Sequence, residues 1–165
     1  MTTRETIRKI IEKYRNIAVY GMSKDPGKTA HWIPEQLASK GYQIICVNPT
    51  AEIIEKWECY PDLKSVPKRI DVVLVFRRSE DALEPVQEAV ARKKEKGDVY
   101  VVWLQQGIRN EEARKLAEEN EIIFVQDRCM YHEYQMVYLM DEWPRCGKGK
   151  GYRVKGKRGR SCAVD

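Results

Sequence analysis

The segment IAVYGMSKDPGKTAHWIPEQLASKG, residues 17–41, constrains the fold more than any other part of the chain. An apolar, strand-like run ends at Gly21, a Ser/Lys/Asp/Pro/Gly loop comes next, and a helix-patterned stretch stops at Gly41. A strand that feeds a helix through such a loop opens a βαβ unit, and the helix N-terminus turns unpaired N–H groups and partial positive charge toward the loop. A pyrophosphate suits that position. The next strand, IICV, ends in Asn48 and Pro49. An NAD-binding unit would carry G-x-G-x-x-G and, about 20 residues later, a carboxylate for the ribose diol. Gly21 and Gly27 do not make that pattern, and Glu52 falls beyond the strand. The segment points to a nucleotide other than NAD.

The rest of the chain repeats the alternation. Ile7, Ile10, Ile11 and Tyr14 recur at helical spacing, with Thr2 and Glu5 resembling a capping box, so an amphipathic helix opens the chain and ends by Asn16. Five strands are predicted: IAVYG, IICV, VVLVF (72–76), VYVVWL (99–104) and IIFV (122–125). Several lack polar alternation, as parallel strands covered on both faces do. Helices are predicted over about 30–40, about 80–96 closed by Gly97, about 110–120 capped by Asn110, and Met130 to Glu142. Pro49 to Arg69 reads as an irregular crossover in which only AEIIEKW forms a short helix. The expected fold is α/β: one doubly wound, Rossmann-like domain over 1–144 with a five-stranded parallel sheet of order 3-2-1-4-5. A ligand would lie outside the carboxyl ends of the strands, at the switch between the first and fourth.

Charge divides this domain from the C-terminal segment. Eight of the 30 Lys/Arg lie in 145–165 against one of the 25 acids, leaving 22 basic and 24 acidic residues, a net of −2, in the body. The Gly- and Lys/Arg-rich segment RCGKGKGYRVKGKRGRSCAVD has too little apolar surface to order itself and reads as a basic flexible tail, suited to an acidic partner or nucleic acid. Five cysteines (46, 59, 129, 146, 162) form an odd set without C-x-x-C, which predicts reduced thiols and no zinc or other metal site. With no long apolar run and no signal pattern, a cytoplasmic protein with no membrane contact is expected.

The ordered set GMS, VNP, CYPDL, DVVLVFRR, VVWLQQGI and VQDRCM resembles the stand-alone CoA-binding proteins, whose fold is similar to the CoA-binding domain of the succinyl-CoA synthetase α-subunit. The resemblance covers roughly residues 5–140 and implies CoA as cofactor. The implied contacts are Gly21, Met22, Ser23 and Lys28 around the phosphates, Asn48 and Pro49 at the end of the second strand, Phe76 and Arg77 at the rim, and Gln105, Gln106 and Gly107 along the pantetheine arm. Several of these residues have plain structural readings as well: Gly21 as a turn glycine, Lys28 as a solvated lysine, Pro49 as a strand stop, and 105–107 as a polar turn. Two places depart from similar proteins, Thr50 where a lysine often comes after the Asn-Pro pair, and AHW at the start of the helix. Lys24 or Lys28 is then the nearest cation to the phosphates.

Cys129 sits where a strand end runs into a helix, either as a reactive thiol or as a buried structural cysteine, and His132 lies three residues beyond it. His31 reads as a phosphate contact or a solvated residue. The preferred function is binding of CoA or acyl-CoA as a carrier, sensor or regulatory module without a complete catalytic site. The alternatives are a thiol-dependent enzyme using CoA or CoA disulfide through Cys129 or Cys59, and a ligand-sensing adaptor anchored to nucleic acid by residues 145–165.

Overall fold

The computed structural model describes residues 3–50 and 52–139. Helix α1 (Arg4–Lys13) starts where the Thr3 hydroxyl oxygen accepts the Thr6 N–H at 3.2 Å, so the cap is Thr3 rather than Thr2. Ile7, Ile10 and Ile11 share one face of α1 and are buried. The chain continues through β1 (Asn16–Tyr20), α2 (Thr29–Ser39), β2 (Gln43–Val47), β3 (Ile53–Ile54), β4 (Trp57–Tyr60) and β5 (Val72–Val75). After a 3-10 turn at Ser79–Asp81 come α3 (Leu83–Lys96), β6 (Val101–Leu104), α4 (Glu111–Glu119), β7 (Ile123–Val125) and α5 (Met130–Tyr138). Asn110 caps α4 by accepting the Ala113 N–H at 2.8 Å.

These strands make a seven-stranded sheet of order β3-β4-β2-β1-β5-β6-β7, parallel except at the β3–β4 hairpin. Two expectations are corrected. The crossover after Pro49 holds this hairpin in place of a short helix, and the sheet is mixed and seven-stranded in place of five-stranded and parallel. The expected strand order fails with them. VVLVF, the expected third strand, lies beside β1, while β4 occupies the place beyond β2. Counting β4 as the third parallel strand restores the doubly wound order 3-2-1-4-5-6. The missing strand, WECY, buries only Cys59, because the two-residue β3 is its outer neighbour and an edge position needs little apolar sequence.

Helices cover both faces, which is why the central strands are apolar throughout except for Asn16 and Gln43 at the starts of β1 and β2. Ile17, Val19, Ile44, Cys46, Val72, Leu74, Val101 and Trp103 join the core under α1, α2 and α5; Ala18, Tyr20, Ile45, Val47, Val73, Val75, Val102 and Leu104 join the core under α3 and α4. The loop between β4 and β5 is fastened by a buried arginine. Arg92 of α3 pairs with Asp98 at 2.9 Å and donates to the carbonyls of Leu63, Val66 and Lys68.

Cys46 and Cys59 face each other in register across β2 and β4, with Cα atoms 4.5 Å apart, and are joined by a disulfide. The expectation of reduced thiols fails for this pair, since their adjacency depends on the strand that the sequence did not display. Cys129 is the free cysteine among the described residues. Cys146, Cys162, the basic segment 145–165 and the predicted continuation of the last helix to Glu142 lie outside the described residues. No described helix is long and apolar enough to cross a membrane.

Candidate functional site

The chain runs outward from β1 to β2 and the β3–β4 hairpin, then returns to β5 on the other side of β1. The switch therefore lies between β1 and β5, one strand from where it was expected. The loops at its carboxyl end are 21–28 after β1 and 76–78 after β5.

Gly21 brings these loops together. Its φ is +91°, and a Cβ there would sit 2.5 Å from the Phe76 carbonyl oxygen. Arg77 extends over the Tyr20 ring, 5.4 Å from its centroid. Its neighbour Arg78 pairs with Glu80 and Asp81, whereas Arg77 has no carboxylate partner among the described residues. Met22 is 1% exposed and packs into the core, so only its main chain faces the loop. That carbonyl accepts from Asn48 Nδ2 at 2.8 Å, and Asn48 Oδ1 accepts the Thr50 N–H and hydroxyl at 2.9 Å each. Asn48 is thus a clasp between the loops after β1 and β2.

The Ser23 hydroxyl oxygen accepts the Asp25 N–H at 3.1 Å, which leaves its O–H free to donate. Asp25 takes the Gly27 N–H at 2.9 Å and holds the loop as a turn. Lys28 occupies the N-cap of α2, no side chain caps that end, and no acid lies in its first turn. The N–H groups of Thr29 and Ala30 have no acceptor within the helix. An anion at this end meets N–H donors, helix dipole and the exposed Lys28 together.

Beside Arg77 opens a cleft of ≈ 570 Å³ lined by Tyr20, Pro49, Pro61, Asp62, Arg77, Asp81, Glu84 and Glu88. The Tyr20 hydroxyl donates to Glu88, whose other oxygen accepts the Leu63 N–H at 3.2 Å. Burial, then the bond to Glu88, pushes the Tyr20 hydroxyl well above its ordinary range. Burial also raises Glu88, against the lowering pull of the bonds from Tyr20 and Leu63.

Gln105, Gln106 and Gly107 connect elsewhere. Gln105 is buried and its Oε1 accepts the Met130 N–H at 3.3 Å, serving the start of α5. Gln106 is exposed, and the Gly107 N–H donates to Asp127 at 2.8 Å. Cys129 stands half-buried at the N-cap of α5, and His132 is exposed. His31, read as a phosphate contact or a solvated residue, is buried: its Nδ1 meets the Ser23 carbonyl at 2.8 Å and its Nε2 faces Glu35 and Glu55. The i,i+4 spacing of His31 and Glu35 was a readable signal; Glu55 arrives from the unforeseen hairpin.

A family model described as CoA binding domain matches residues 15–135. This chain belongs to that CoA-binding family. The uncharacterized protein YneT of Bacillus subtilis (strain 168) is 36% identical over 124 residues, covering 75% of this chain and 88% of the relative. The acetate–CoA ligase (ADP-forming) II of Archaeoglobus fulgidus is 32% identical over 89 residues, 53% of this chain but 13% of the ligase. Among solved structures, a hypothetical protein from Pyrococcus horikoshii OT3 superposes with a TM-score of 0.76 at 36% identity, covering 82% of this chain and 92% of its own.

Proposed function

We propose that this protein binds CoA or an acyl-CoA at the β1–β5 switch and acts as a carrier, sensor or regulatory module without a complete catalytic site. The observation that carries the reading is the family match over 15–135 on a fold whose α2 begins without a side-chain cap beside Ser23 and Lys28. The pyrophosphate lies against that helix end, with the Ser23 hydroxyl and Lys28 as further donors. Arg77, with no acid to neutralise it, takes a phosphate through its planar fork. The carboxylates of the adjoining cleft suit hydroxyl and amine donors of the nucleoside.

Calorimetric titration with CoA and with NAD tests this. CoA is expected to bind and NAD to bind more weakly; equal or tighter NAD binding overturns the reading. Lys28→Ala and Arg77→Ala should each weaken CoA by about ten- to a hundredfold, since a hydrogen bond to a charged group contributes about 1.5–3 kcal/mol. Wild-type affinity in both variants means that the phosphates lie elsewhere.

A further inference from the structure

We propose that His31, Glu35 and Glu55 form a binding site for a divalent transition-metal ion, with Zn2+ as the ion whose bond lengths fit it. His31 lies on α2 and is 1% exposed. Its Nδ1 is 2.8 Å from the Ser23 carbonyl oxygen, and because a carbonyl only accepts, Nδ1 carries the ring hydrogen. With the hydrogen on Nδ1, Nε2 is the ring atom left to ligate, and it points outward. Nε2 faces Glu35 Oε1 at 3.4 Å and Glu55 Oε1 at 3.4 Å, and the three atoms lie within 4.8 Å of one another.

A lone pair opposed by two carboxylates needs a positive charge between them, either a proton on Nε2 or a cation. The distances favour the cation. Charge-assisted N–H···O bonds run about 2.7–2.9 Å. Two ligands a tetrahedral angle apart on an ion with bonds of about 2.1 Å are separated by about 3.4 Å. The bond from Nδ1–H to a backbone carbonyl is the supporting contact that metal-bound imidazoles make, fixing the tautomer that leaves Nε2 free to ligate. Glu35, one turn after His31, shares its helix face, while Glu55 comes from the tip of the β3–β4 hairpin. Neither carboxylate has another hydrogen-bond or ion-pair partner among the described residues. Their side chains are 42% and 51% exposed, which gives an ion access and leaves a fourth position toward solvent. Two carboxylates and one imidazole also balance a divalent charge and supply the nitrogen and oxygen donors that zinc accepts. The bound ion clamps the hairpin onto α2 at the residue that holds Ser23. This site stands independently of CoA binding.

The test is calorimetric titration of the full chain with Zn2+ alone, without CoA, in wild type, Glu35→Gln and Glu55→Gln. These exposed, near-isosteric variants avoid disturbing the buried His31, and their unfolding temperatures without metal are expected to match wild type. Wild type should bind one Zn2+ that each variant weakens by more than about 10–100-fold, the range lost when a supporting residue alone is removed. Nitrogen NMR of the His31 ring should show Nε2 shifting when Zn2+ is added. Equal Zn2+ affinity in all three proteins, or an Nε2 that stays protonated in the presence of Zn2+, overturns the proposal and assigns the cluster to a proton-bridged imidazolium.

Discussion

Gly21 is glycine because β1 leaves the sheet against the backbone of Phe76. With φ at +91° and a Cβ position 2.5 Å from the Phe76 carbonyl oxygen, Gly21→Ala should cost about 1–3 kcal/mol from the backbone conformation alone, with the clash added. Denaturant titration checks this, and an unchanged midpoint contradicts it. The sequence marked Gly21 as a turn glycine, but the carbonyl that excludes a side chain belongs to a residue more than fifty positions away. Asp127 makes a similar point. It has φ +56°, accepts the Gly107 N–H at 2.8 Å and pairs with Arg109 at 2.9 Å. The Gly107 N–H, then Arg109, holds its carboxyl below the ordinary 3.8. A carboxyl lowered in the fold contributes stability above its unfolded value and loses that contribution as pH falls through the folded one. Asp127→Asn keeps an acceptor and a residue type that tolerates positive φ, removing only the charge. Its unfolding temperature should therefore fall less steeply than that of wild type below about pH 4, the ordinary range for an aspartate. Superimposable acid limbs in thermal melts would refute this.

At the scale of elements, strong periodicity was readable and edge structure was not. The Ile7/Ile10/Ile11 stripe defined α1, and Asn110 marked the start of α4, because both signals are local. WECY carries no such signal. Its strand character comes from pairing with β2, and the same pairing brings Cys59 to Cys46. The cross-link closes a sequence separation of 13. Its reduction, or Cys59→Ser, should lower unfolding free energy by about 2–4 kcal/mol, mainly by restoring freedom to the unfolded chain. Urea titrations with and without reductant measure the difference, and coincident curves would show that the cross-link contributes nothing.

Across the whole molecule, charge is divided unevenly along the chain. Residues 1–144 carry a net −2, so any salt-sensitive attraction to polyanions should reside in 145–165. Deleting 145–165 should leave the melting temperature and CoA affinity unchanged and abolish polyanion binding at low salt. A large drop in melting temperature, or undiminished polyanion binding, contradicts that division. The sequence by itself determined the α/β class, the strand-loop-helix at 17–41, the helix stripes and the absence of an NAD-type acid, because each rests on residues close together in the chain. Only the tertiary structure decided the strand order, the Cys46–Cys59 bond, the burial of His31 against two glutamates and the joining of Gly21 to Phe76. Those features depend on which strands become neighbours, and that was set by a four-residue strand whose stability comes from its partners rather than from its own composition.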